Sequence, residues 1–149
     1  MASVRVEGFD DVIKLLDKLS NKAKVDNIAK GAVNAAKDVV ASSMSSAIAS
    51  SEGHRGGIGA RHREDRSNRS VAGSVKSTYA KVNSYGVFSV AKPDGRDPQG
   101  TRNGKKAALL EYGAPQFSAR PWRSRAVSSS EGPAVKIIED YVKSEMGAE

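Results

Sequence analysis

Between Lys24 and Ala49, apolar side chains recur every three or four positions: Val25, Ile28, Ala29, Ala32, Val33, Ala36, Val39, Val40, Met44, Ala47 and Ile48. A stripe of this period predicts one amphipathic helix with a buried face and a solvated face. At 1.5 Å per residue it would run to roughly 39 Å, which is long for a chain of 149 residues. Everything else must be arranged around that rod. Its many alanines and Gly31 keep the buried face slim, so a sheet or a neighbouring subunit can approach closely. The chain is 38% hydrophobic and contains no cysteine. A domain of this length buries roughly 70% of the surface its unfolded chain exposes, enough to stand without a disulfide or zinc staple. The missing cysteines also exclude thiol nucleophiles, thiolate metal sites and redox motifs. At 5% aromatic content, the core is lean.

The remaining pattern is a mixture of short strands and helices. Val4-Arg5-Val6 alternates and predicts a short edge strand before Gly8. Asp10 then fits a helix cap, and Val12, Ile13, Leu15, Leu16 and Leu19 continue at helical spacing. Beyond the long helix, Val71, Val75, Tyr79 and Val82, then Val87, Phe88 and Val90, read as strands, with hairpin chemistry from Asn83 to Gly86. Pro93 to Lys106 is a run of turn signals, expected to be a hairpin tip or arm. Ala107 to Tyr112 reads as a strand ended by Gly113. A last helix is expected to start at Gly132-Pro133, proline suiting the first helical position, and to carry Ala134, Ile137, Ile138, Tyr141 and Val142 on its apolar stripe. There is no internal repeat. The expectation is a single α+β domain over residues 1–149: a small, largely antiparallel sheet, with a short first helix, a long helix in the N-terminal half and a C-terminal helix packed on it.

Net charge is +7, unevenly placed. Residues 1–49 carry a net +1, residues 50–125 a net +9 and residues 126–149 a net −3. The central surplus gathers in two polar stretches expected to be flexible basic arms. One spans residues 50–70, with Arg55, Arg61, Arg63, Arg66 and Arg69. The other spans residues 93–106, with Arg96, Arg102, Lys105 and Lys106. Stretches this long without regular structure are uncommon in compact domains and are usually functional or disordered. Residues 1–19 hold four acidic side chains and no unbroken apolar run, unlike a secretory leader. No window approaches the ~20 apolar residues of a membrane span, so a soluble chain made in a cytoplasm, with no membrane partner, is expected.

Familiar chemistry finds little support. His54 and His62 lie on a glycine-rich stretch with only Glu52, Glu64 and Asp65 near, which is not a zinc pattern and reads as two solvated histidines. Gly56-Gly57-Ile58-Gly59 follows a helix and lacks the Lys-Ser/Thr that grips phosphate and magnesium. No serine stands in a recognisable hydrolase context. A carboxylate pair would have to come from Asp94, Asp97 and Glu111, yet the first two sit in a turn, where aspartate ordinarily bonds the backbone. An enzyme is not expected, and no cofactor or metal is called for. The arginines of residues 54–69 support a different alternative, a small nucleic-acid-binding protein held by phosphate contacts. Against it, Glu64 and Asp65 interrupt the run and no aromatic side chain interleaves to stack on bases.

One constellation is sharper. Leu110-Glu111-Tyr112-Gly113-Ala114 is followed, after a polar gap, by Ala119-Arg120-Pro121-Trp122-Arg123-Ser124-Arg125-Ala126. It resembles the "E-aromatic-G-T … R-P-aromatic-x-x-x-A" signature of the small tail-completion, or head–tail joining, proteins (minor tail components) of long-tailed bacteriophages and prophages. The opening Val4-Arg5-Val6-Glu7-Gly8-Phe9-Asp10 and the segment Val71-Ala72-Gly73-Ser74-Val75 are similar to the same family, so the resemblance covers about residues 3–145. Ala114 stands where threonine is usual, Trp122 where phenylalanine is usual, and Ser67-Asn68 where a glycine often precedes the strand.

The resemblance implies a virion structural protein of the neck or tail, assembled in the host cytoplasm as a homo-oligomeric ring, a hexamer by analogy. Its partners would be copies of itself and adjacent neck, tail-terminator or tail-tube proteins, with packaged DNA close by. It carries over no catalytic residue. Gly113 would permit a turn and Pro121 fix the start of the next segment. Trp122 would anchor either the core or a subunit contact, and Glu111 would form an inter-strand or inter-subunit ion pair with Arg120, Arg123 or Arg125. With Tyr112, these residues form the expected interface, and the two arms are expected to order on assembly.

Overall fold

The computed structural model describes residues 22–52, 71–97, 99–116 and 118–146. The expected N-terminal strand and first helix, and nearly all of the first basic arm, lie outside the described residues. The long helix is present as α1, Lys22–Glu52. A short 3-10 turn, Ala72–Ser74, leads into strands β1 (Val75–Ser77), β2 (Lys81–Asn83), β3 (Gly86–Phe88) and β4 (Ala91–Pro93). Helices α2 (Asn103–Tyr112) and α3 (Arg123–Met146) follow. The architecture is α+β, as the patterning predicts.

The strands form two antiparallel ribbons. β1 pairs with β4, Lys76 opposite Lys92, and β2 pairs with β3, Val82 opposite Val87. The predicted hairpin turn at Asn83–Gly86 is found there, and Asn83 Oδ1 accepts a hydrogen bond from the Tyr85 N–H. The segment leading through these strands lies along one face of α1. Ser45 Oγ donates to the Ala72 carbonyl, Ser77 Oγ donates to Asp38 Oδ1, and the Ala80 N–H donates to Asn34 Oδ1 at 2.8 Å. Asn34, Asp38 and Ser45 recur at helical spacing and so share a face.

The opposite face of α1 packs on α3. Near the start of α1, Val25, Ile28, Ala32 and Ala36 form a cluster with Ala134, Ile138 and Val142. Near its end, Met44, Ala47 and Ile48 meet Trp122 and Ala126, together with Val71, Ala72, Ala91 and Ala107. The start of α1 thus meets the end of α3, so the two helices are antiparallel. In its N-terminal half, α1 is sandwiched between α3 and the strands. The slim face expected from the sequence is used: Gly31 lies so close under the ring of Tyr141 that a β-carbon there would stand 2.7 Å from Cε1.

Three expectations require correction. Ala107–Tyr112 is not a strand but most of α2. Alanine, leucine, lysine and glutamate all favour helix, and a short apolar run has no period long enough to reveal it. α3 begins at Arg123, not at Gly132-Pro133, and Pro133 lies inside it. Ala126 and Ser130 supply the buried face of the first turns, and side chains this small leave no visible apolar stripe. Finally, residues 93–106 are not an open arm. Asp97 N–H donates to the Thr101 carbonyl, Gly100 N–H donates to the Asp97 carbonyl, and Arg96 and Arg102 form a β-bridge that closes the turn. Lys105 and Lys106 already belong to α2.

Candidate functional site

The residues of the sequence signature converge at one joint, where the C-terminal ends of α1 and α2 meet the N-terminal end of α3. α2 stops at Gly113, whose φ of +81° a residue with a β-carbon rarely adopts. The chain then returns, and the Arg120 N–H donates to the Leu110 carbonyl at 2.7 Å. Trp122 lands in the core, 1% exposed, and its indole N–H donates to the Ala107 carbonyl at 2.9 Å. Of the two roles open to this tryptophan, the structure gives it the core.

The ion pair expected between Glu111 and its neighbouring arginines is not what the described residues show for this carboxylate. Its Oε2 instead accepts the backbone N–H groups of Trp122 and Arg123, at 2.8 and 3.0 Å. These groups open α3, where a helix has no internal partner for its amides and carries partial positive charge. The arginines serve the opposite pole of another helix. Arg120 Nη1 donates to the Ser51 carbonyl in the last turn of α1, and Arg125 Nη2 donates to Ser51 Oγ. α1 has no basic residue of its own in that turn. Arginines from the α2–α3 connection and from α3 therefore supply the positive charge that its carbonyl end favours. Arg123 covers the ring of Tyr112 at 5.2 Å and donates to its hydroxyl at 2.6 Å. Tyr112 is the outward part of the joint, 69% exposed. Pro121 is exposed as well, and its carbonyl accepts from Arg125 Nε.

Arg55, Arg61, Arg63, Arg66 and Arg69 lie outside the described residues, as do His54 and His62. What is described is the base of their segment. Glu52 Oε1 accepts the Val71 N–H at 2.9 Å and Oε2 accepts the Ala72 N–H at 3.4 Å, so one carboxylate clamps together the two ends of the intervening stretch. No periodicity or motif in the sequence marks Glu52 or Ser51 for these roles.

The second basic group is spread along the turn and α2. Arg96, Arg102 and Lys105 are exposed, and Lys106 forms an ion pair with Asp97. That lysine, through its hydrogen bond to the carboxylate, holds the Asp97 carboxyl below the usual aspartate range, with help from the Thr101 N–H and against the cost of burial. Asp97 is thus a turn residue, as its position suggested, its Oδ1 accepting the Thr101 N–H at 2.7 Å.

An open groove of about 630 Å³ runs between α1 and β1, lined by Asp38, Ser42, Ser45, Val75 and Ser77 among others. Ser45 and Ser77 already donate their hydroxyls within the fold. Among the described residues there is no group of His, Asp or Glu placed to hold a metal ion, and no helix long and apolar enough to cross a membrane. No protein-family model, curated protein or solved structure matches the chain.

Proposed function

We propose that this chain is a virion structural protein of a tailed phage or prophage, joining head to tail or completing the tail as a ring of identical subunits. The observation that carries this reading is the joint around Trp122. Glu111, Gly113, Arg120, Trp122 and Arg125 lie far from α1 in sequence, yet with Ser51 they tie the ends of all three described helices together through helix-end hydrogen bonds and one buried ring. A motif spent on backbone groups and packing suits a family whose members share a shape and an assembly role. Glu52 holds together the two ends of the stretch whose sequence carries the arginines, the residues that would contact a neighbouring subunit or ring.

Two experiments test the reading. Purified protein is expected to form a closed ring by mass photometry and negative-stain imaging. Deletion of its gene from the phage genome is expected to leave filled heads and tails that do not join, a defect complemented by the intact gene. Normal virions after deletion, or tight binding of the lone subunit to DNA with no self- or partner association, would refute it.

A further inference from the structure

The β2–β3 ribbon is the least covered part of the described fold. Tyr85 at its tip is 90% exposed and Tyr79 at its base 76%, while Val82 and Phe88 also face solvent. In a chain this poor in aromatics, a ribbon bearing Tyr85 and Phe88 with Tyr79 at its base presents, among the described residues, an exposed apolar surface, Phe88 sharing one face with Lys81 and Val82 lying on the other with Val87. Tyrosine-rich exposed patches mark contact surfaces. Edge-to-edge addition of another strand is discouraged at β2, where Lys81 stands on the edge, while β3 lies along α1. The face of the ribbon is therefore the surface available for docking. Lys37 over the Tyr79 ring at 4.0 Å adds to the positive charge around it.

Matching negative charge lies across the molecule. The exposed side of α3 carries Glu131, Glu139, Asp140 and Glu145 against Lys136 and Lys143. The ribbon's base is held by Asn34 in the N-terminal half of α1, and the C-terminal half of α3 packs on the opposite side of the same stretch. The basic aromatic patch and the acidic helix face thus sit at one level, on opposite sides of α1.

We propose that the outer face of the β2–β3 ribbon docks on the outer face of α3 in a second copy of this chain, Tyr85 serving as the anchor and Lys81 meeting Glu139 and Asp140. The contact joins two different patches, so it is heterologous and propagates head to tail until the rotation closes a ring. This inference rests on the ring-forming function proposed above and names the surface that builds the ring.

The test uses the full chain, with assembly followed by sedimentation velocity and mass photometry across concentration and salt. Tyr85→Ser and Lys81→Glu are each expected to raise the assembly midpoint at least tenfold while the circular dichroism of the subunit stays unchanged. Glu139→Lys/Asp140→Lys is expected to do the same, and combining it with Lys81→Glu to restore much of the assembly, because each contact then pairs opposite charges again. Rings that form normally in Tyr85→Ser and Lys81→Glu would overturn the docking surface while leaving the ring itself intact. A wild-type chain that stays monomeric would instead overturn the ring and this surface together. Loss of oligothymidine binding by Tyr85→Ser, with assembly unaffected, would assign the ribbon to nucleic acid and refute the proposal.

Discussion

Glu111 Oε2 accepts a hydrogen bond from the backbone N–H of Trp122 at 2.8 Å, across the tight return that separates α2 from α3. The carboxylate comes from the last turn of one helix and satisfies the first amides of the next, while the Trp122 indole returns the connection by donating to Ala107 in α2. Each helix thereby fixes the other's end, and the angle between them is set by bonds running in both directions. Ser51 extends the same scheme to α1 through Arg120 and Arg125.

Removing this cap is expected to cost stability. Glu111→Ala leaves two helix-opening amides without a side-chain acceptor, and loss of such a cap costs about 1 kcal/mol, up to ~2 where charge and helix dipole act together. Glu111→Gln keeps an acceptor oxygen and loses the charge, so it should fall between wild type and alanine. Urea unfolding of the three proteins measures the order, and an alanine variant as stable as wild type would show that the cap contributes nothing.

Trp122 is the only tryptophan in the chain, so its fluorescence reports on the joint alone. The native emission is expected to be blue-shifted and to move red in a single transition on unfolding. Trp122→Phe removes the bond to Ala107 and leaves that carbonyl without its side-chain donor, for a loss of roughly 1–3 kcal/mol. Trp122→Ala also opens a cavity and should cost about 3–5 kcal/mol. Equal destabilisation by the two variants would mean that packing volume contributes little here.

How much of this was legible beforehand depended on side-chain size. α1 declares itself because valine, isoleucine and methionine keep its stripe visible over many turns. The first turns of α3 bury Ala126 and Ser130, which leave no such mark, and the sequence shows the helix only from Gly132-Pro133 onward. The grouping of Glu111, Gly113, Arg120 and Trp122 was readable as a motif, but the chemistry inside it was not. Glutamate beside arginines suggests an ion pair, and only the fold reveals that backbone amides lie nearer. Ser51 and Glu52 carried no signal, because their partners lie across a stretch of chain whose ends meet only in three dimensions.

Gly31 gives a prediction whose sign depends on its neighbour. In an exposed helix, Gly→Ala is favourable by about 1 kcal/mol. Here the added β-carbon strikes the Tyr141 ring, and overpacking of this kind costs about 1–3 kcal/mol. Gly31→Ala should therefore destabilise wild type but stabilise a Tyr141→Ala background. A double-mutant cycle by thermal unfolding checks this, and additive effects would show that the two residues do not meet.

The ion pair between Asp97 and Lys106 predicts a specific acid response. The Asp97 carboxyl titrates below its unfolded value of about 3.9, chiefly because Lys106 donates a hydrogen bond to its charged form. A group with a depressed folded pKa binds its proton more readily in the unfolded chain. Its stabilisation is therefore complete above about pH 5, where both states are ionised, and is lost as pH falls through the lower folded value. Asp97→Asn retains an oxygen to accept the Thr101 N–H, so the turn persists while the charge is gone. Its stability should fall below wild type at neutral pH and converge with it as the solution is acidified toward pH 2–3, the difference shrinking only below about pH 5. Stability curves that run parallel down to that pH would show that folding does not shift the Asp97 titration.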